Sequence, residues 1–182
     1  MPPKRRPVAK DAVIVRTERP IDHDAVYEVV KTAFGQPDEA HLVEELRKSK
    51  GFIPELSLVA VLEKDVIGHV LFFPIFVETP NKKIPVLSLA PVSVKPGHQK
   101  KGVGSKLVRE GLKMCRELGH KTVVVIGHPE YYPRFGFVPA RPKGLKAPFD
   151  VPDAAFMVIE LRKNTLKGVL GVVRYPPEFN GV

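Results

Sequence analysis

The 182-residue sequence has one cysteine, Cys115, and no tryptophan. A lone cysteine excludes an internal disulfide and fits a reducing, cytoplasmic setting. The chain has no CxxC and no paired-histidine spacing, so no metal site is expected. No apolar run approaches the roughly 20 residues that a membrane-spanning helix needs. The opening MPPKRRPVAK is basic but has no apolar stretch behind it, which excludes a secretory signal. Neither an internal repeat nor a linker is visible. One domain over residues 12–182 is expected, behind a disordered basic tail at residues 1–11. Acidic residues are in deficit: 20 against 29 lysines and arginines, a net charge of +9. Lys4, Arg5, Arg6 and Lys10 account for four of those charges. The remaining excess suits a polyanionic partner.

What is present centres on LSLAPVSVKPGHQKKGVG, residues 87–104. The apolar run 87–94 reads as a buried strand, and Pro96-Gly97 breaks it. Gln99, Lys100, Lys101, Gly102, Val103, Gly104 and Ser105 then open into a helical pattern. A strand, a glycine-bearing basic turn and a helix start together make an anion site. The first-turn N–H groups have no intrahelical acceptors, and the helix dipole adds partial positive charge.

The known phosphate-loop patterns separate on this stretch. Gly97 and Gly102 have the spacing of a nucleotide-triphosphate loop, but Val103 and Gly104 stand where Lys and Ser/Thr are required. The dinucleotide pattern fails because Leu107 replaces its third glycine. Gln/Arg-x-x-Gly-x-Gly/Ala is met at every defined position by residues 99–104. That motif resembles the acetyl-CoA pyrophosphate loop of the GNAT superfamily of N-acetyltransferases. Further on, GHPEYYPRFGF (residues 127–137) carries Tyr132-x-x-x-Gly136-Phe137, similar to the tyrosine element on the far side of the GNAT acyl-CoA site. Its fuller wording resembles the YhbS-like branch, as do SLVAVLEKDVIGHVLF and the closing LKGVLGVVRYPPEF.

In chain order, residues 12–16 read as a first strand. Asp22 or Asp24 can cap a helix with Ala25, Val26, Val29, Val30 and Ala33 on its apolar face, ending at Phe34-Gly35. Residues 39–48 read as a second helix. Strands are expected at 56–62 and 66–77, joined by a polar turn, with Pro74 bulging or dividing the second. The strand through Val94 follows, and these four runs look antiparallel. A helix over 102–118 buries Val103, Leu107, Val108, Leu112, Cys115 and Leu118. Residues 122–126 form a continuous apolar run, as in a parallel strand covered on both faces. Pro129 fits the first position of a short helix, with His128 beside it. Residues 156–162 make a last strand, and the segment after Asn164 reads as irregular. The expected class is α/β: a mixed, largely antiparallel sheet with one parallel, splayed pair.

The resemblance implies the GNAT acyl-CoA N-acyltransferase fold and acetyl-CoA as co-substrate. It implies acetyl transfer to an amine by direct attack in a ternary complex. The pantetheine arm would pair with backbone at Val92, Ser93 and Val94, with pyrophosphate at residues 99–105. Tyr132 matches the tyrosine that protonates the leaving sulfur. The loop at residues 34–38 would help form the acceptor pocket. Many relatives carry a basic glutamate on the strand before the loop. Residues 84–91 contain no carboxylate, so His128 and Glu130 are the candidates for that role. His69 and His98 read as strand and loop residues without one. The rival reading is a non-catalytic acyl-CoA-binding or nucleic-acid-associated module on the same fold. The sequence leaves a homodimer open and does not call for nucleic acid.

Overall fold

The computed structural model describes residues 12–182, so the basic tail lies outside the described residues. Among the described residues nine strands form one sheet: β1 (Val13–Thr17), β2 (Ser57–Leu62), β3 (Asp65–Glu78), β4 (Lys83–Val94), β5 (Thr122–Ile126), β6 (Val138–Pro139), β7 (Leu145–Lys146), β8 (Phe156–Glu160) and β9 (Gly171–Arg174). The main path runs β1-β2-β3-β4-β5-β8-β6, and β9 joins β3 to β7. β1 to β4 are antiparallel, as their hydrophobic runs and polar turns suggest. β5 lies parallel to β4, reached through the helix α3 (Val103–Glu117). The remaining helices, α1 (His23–Phe34) and α2 (Asp38–Lys48), pack on the opposite face.

Alternation along β3 explains the two layers. Val70 and Phe72 project toward α3 and join Leu107, Val108 and Leu112 in one core cluster. Leu71, Phe73 and Ile75 project the other way, against Leu42 and Leu46 of α2. Val26, Val29 and Val30 of α1 close the same face with Val59. A period-2 strand buried on both faces must be apolar throughout, and β3 nearly is. α3 sits close to the sheet because residue 111 is glycine. A Cβ there would stand 2.2 Å from the Phe72 ring.

Several expectations are corrected. Pro74 does not divide its strand. It lies where the outer edge of β3 passes from β2, which ends opposite Leu71, to β9, which begins opposite Phe76. That flank demands no ladder donor from residue 74. β3 does carry a bulge, but at Ile67, where its register with β2 slips between the pairs Ala60–Gly68 and Val61–Val66. A second bulge lies in β4 opposite Leu71, between the pairs Val70–Val92 and Phe72–Leu89. The segment after Asn164 supplies a true strand, β9, whose alternation is too short to read. Leu118 is exposed, because α3 ends before it. Asp22 does not cap α1; its carboxylate is engaged by Arg16 at 2.6 Å and by the Arg19 N–H at 2.8 Å. The short helix begins at Tyr132 rather than at Pro129, with Pro133 in its first turn.

Candidate active site

The parallel pairing of β4 with β5 covers only Leu87–Val123 and Ser88–Val124. Beyond that both strands continue but part, leaving main-chain donors and acceptors facing each other across a gap. The β4 bulge at Ala90-Pro91 starts this divergence, in keeping with the way bulges end pairing beside functional sites. The gap opens into a cleft of about 750 Å³. Its floor is Leu89 to Val94 of β4, and its walls include Ile126, His128, Tyr131 and Tyr132 on one side and Phe34, Glu39 and Leu42 of the helical pair on the other.

At the α3 end the cleft continues into a second hollow of about 310 Å³, lined by Val94, Gln99, Lys100, Gly102, Gly104, Ser105, Tyr131 and Arg134. The loop is shaped by its own residues. Gln99 donates to the Val94 carbonyl at 2.9 Å, tying the turn back to the strand. Gly102 has φ +83°, a left-handed conformation that suits glycine. Gly104 opens the first turn of α3, and a Cβ there would stand 3.2 Å from the Tyr131 hydroxyl. The backbone N–H groups of this turn are therefore open to an anion that a side chain would exclude. Val103 buries its side chain in the core and offers only backbone. Lys101 is exposed and lies outside both linings.

Sequence reasoning offers Tyr131 only as the lesser substitute for Tyr132 as the acid and gives Arg134 no role, yet both stand at this end. The Tyr131 hydroxyl lies 3.1 Å from Ser105 Oγ, and the Arg134 guanidinium lies 4.4 Å from the Tyr131 ring centroid. The i, i+3 spacing of an aromatic and an arginine in a short helical turn was the available signal. Tyr132 points differently. Its ring is fixed edge-on between Tyr131 and Phe137, with centroids 5.1 and 5.7 Å away. It is 6% exposed, and burial, helped by the neighbouring Tyr131, pushes its phenol well above the usual tyrosine range. No hydrogen bond to its hydroxyl is found among the described residues. His128 is exposed and lines the cleft; Glu130 is exposed and does not.

A further hollow of about 680 Å³ adjoins the cleft and shares Leu89, Ala90, Ile126, Phe179 and Val182 with it. Its aromatic wall is Phe149, Tyr175 and Phe179, with the Phe149 and Tyr175 rings stacked at 6.1 Å. Burial pushes the Tyr175 phenol up to about 12. The splay is thus open from two sides, one rich in backbone donors and basic groups, the other aromatic. Among the described residues no group of three or more His, Cys, Asp or Glu side chains is placed to hold a metal ion. No helix among them is long and apolar enough to cross a membrane.

A strand pair that splays beside a glycine-bearing helix start, with a buried tyrosine on the wall, defines an acyltransferase of the GNAT kind. The acetyltransferase (GNAT) domain family matches residues 15–140, and the chain belongs to it. It is 35% identical to the N-acetyltransferase YhbS of Escherichia coli (strain K12) over 92% of this chain and 99% of that one. The same organism's N-acetyltransferase YjhQ is 41% identical over 72% of this chain and 74% of its own. The crystal structure of E. coli YhbS in complex with CoA superposes with a TM-score of 0.86 at 33% identity, covering 97% and 96% of the two chains. A GNAT acetyltransferase from Brucella melitensis in complex with acetyl-CoA gives 0.76 at 30% identity, covering 93% and 99%.

Proposed function

We propose that this acetyltransferase binds acetyl-CoA along the splay and passes the acetyl group to a primary amine of a small molecule or protein. The observation that carries the reading is the parting of β4 from β5 directly above the first turn of α3. The unpaired backbone of Val92, Ser93 and Val94 suits a peptide-like pantetheine arm, by the physics of adding a strand to an edge. The pyrophosphate then falls against Gln99, Lys100, Gly102, Gly104 and Ser105, with Tyr131 and Arg134 beside it. CoA complexes of similar proteins support this assignment.

Transfer needs a polarised carbonyl, a neutral amine, a protonated leaving thiolate and alignment of the reactants. Main-chain N–H groups on the β4 side of the splay are disposed to polarise the carbonyl. Tyr132 delivers the proton to sulfur. Burial keeps the phenol protonated and so available as a donor, and the same shift makes it a weaker acid than an exposed tyrosine. Tyr131, whose hydroxyl is engaged by Ser105, is the weaker candidate for that role. The amine approaches from the side walled by Phe34, Leu42 and the aromatic hollow. Attack is direct, because the chain's only thiol, Cys115, is buried on the inner face of α3 and burial pushes it up to about 12.

The test is thiol release from acetyl-CoA with a diamine, a lysine-containing peptide and an arylalkylamine, together with mass analysis of each amine. Acetylated amine in stoichiometric yield is expected. Tyr132→Phe should cut turnover by about 100-fold or more at unchanged CoA affinity. Retention of turnover within a few-fold would show that another group protonates the sulfur.

A further inference from the structure

Three polar residues form a row across the sheet that no step above uses: Ser57 on β2, His69 on β3 and Ser93 on β4. His69 stands directly opposite Ser93 in the antiparallel register, so both project to the face beneath α1 and α2. His69 is fully buried and Ser93 is 4% exposed. Ring nitrogen Nε2 lies 2.9 Å from Ser57 Oγ and 3.3 Å from Glu18 Oε2. Among the described residues, Nδ1 of the same ring is buried without a partner, and so is Ser93 Oγ. Two orphaned polar atoms on paired residues, whose Cβ atoms lie about 5 Å apart in such a register, make a polar niche for one bridging water. Ser93 also lines the cleft, so the niche adjoins the reaction site.

The rest of the environment fixes the ring. Glu18 is a carboxylate forked by Arg47, with Nε at 2.9 Å and Nη2 at 3.0 Å, and His23 Nε2 lies 3.4 Å from it. Burial would raise the Glu18 carboxyl, but hydrogen bonds from His69 and Arg47 and their charges hold it at about 2. An ionised acceptor at Nε2 favours the tautomer with hydrogen on Nε2, which leaves a lone pair on Nδ1. The groups facing His69 are therefore Glu18, Ser57 and Ser93, with Arg47 and His23 one contact further out through Glu18.

We propose that His69 is the proton acceptor for the incoming amine, reached from the cleft through Ser93 and one bridging water. This rests on the acetyl-transfer reading. The substrate ammonium gives one proton along this route to Nδ1, freeing the nitrogen lone pair. The C–N bond then forms and the C–S bond breaks. The thiolate takes the proton of Tyr132, and the second nitrogen proton returns to the Tyr132 oxygen. Each turnover leaves one proton on His69, which departs to solvent by the way it came. His69 acts through Ser93 and touches no reacting atom, so it is a positioning and proton-holding residue.

The experiment measures kcat/KM against pH for the wild type, Ser93→Ala, His69→Gln and His128→Gln, with the best amine of the three named above. Ser93→Ala should lose about 100-fold near neutral pH, and the deficit should shrink as the pH approaches the amine's own pKa, where no base is needed. His69→Gln should behave alike, whereas His128→Gln, at the cleft wall, should not reproduce that pH-dependent deficit. CoA affinity and melting temperature, measured alongside, separate this from misfolding. A pH-independent deficit, a Ser93→Ala enzyme within threefold of wild type, or a His128→Gln enzyme that alone loses the effect would overturn the proposal. Nitrogen-15 NMR of the CoA-bound wild type gives a readout independent of turnover. Hydrogen on Nε2 with a free Nδ1 is expected; hydrogen on Nδ1, or a ring doubly protonated at every pH, would overturn the relay. If no amine is acetylated, the acetyl-transfer reading fails, while the NMR result still decides the state of His69.

Discussion

Arg47→Met tests the buried network under α2. Methionine keeps the side-chain stem and removes only the guanidinium. The Arg47 and Glu18 side chains are 14% and 3% exposed, and the fork between them has two bonds at 2.9 and 3.0 Å. Without it, among the described residues Glu18 keeps only His69 and His23 within reach. Removing one partner of a buried pair costs about 3–5 kcal/mol, because the other charge stays behind. Those two histidines put the expectation near the lower end, about 3 kcal/mol. For a chain of this size that is a drop in melting temperature of roughly 6–12 °C. The sign with pH follows from the same residues. In the wild type the Glu18 carboxyl is lowered from 4.5 to about 2. Its contribution is complete above pH 4.5 and fades as the pH falls toward 2. In the variant the carboxyl loses the Arg47 guanidinium and takes up a proton at higher pH, which relieves the burial penalty. The stability gap between the two proteins should therefore close as the pH falls from 7 toward 3. Urea unfolding at several pH values measures it. A gap under about 1 kcal/mol at pH 7, or one independent of pH, would refute the reasoning. Glu18→Gln in the Arg47→Met background should restore much of the loss, since no bare charge remains.

Other outcomes follow from the packing. Gly111→Ala should destabilise the fold by about 1–3 kcal/mol, since its Cβ would stand 2.2 Å from the Phe72 ring; thermal unfolding with unchanged stability would contradict the close approach of α3. Cys115 should resist alkylation at pH 8, because burial holds its thiol near 12. Its labelling rate should rise to that of a free thiol only in denaturant; fast labelling of the native protein would place it at the surface.

The parts of the account legible in the sequence are those with local causes. The α3 stripe, the antiparallel order of β1 to β4 and the turn at residues 99–104 each follow from periodicity or from glycine and proline placement. The parting of β4 from β5 was legible only through the resemblance to the GNAT family that the turn at residues 99–104 carries. What escaped depends on tertiary neighbours. β9 is four residues long, and its pairing with β3 comes from a partner nearly a hundred positions away. Tyr131 reads as a spare copy of Tyr132 until Ser105 and Arg134 close on it. His69 reads as an idle strand histidine until Ser57 and the Glu18 carboxylate that Arg47 holds converge on one of its nitrogens. No spacing along the chain connects those four residues, which come from four different elements or their connections.

The central claim is that the α3 start holds the pyrophosphate of CoA. Calorimetric titration of CoA into the wild type and into folded Gly104→Val tests it most directly. A valine at that position would crowd the Tyr131 hydroxyl and cover the first-turn N–H groups. Losing one charge-assisted hydrogen bond costs about 1.5–3 kcal/mol. The account therefore predicts saturable 1:1 binding by the wild type and a loss of roughly 10- to 100-fold in the variant. Equal affinities in two proteins of equal melting temperature would contradict it.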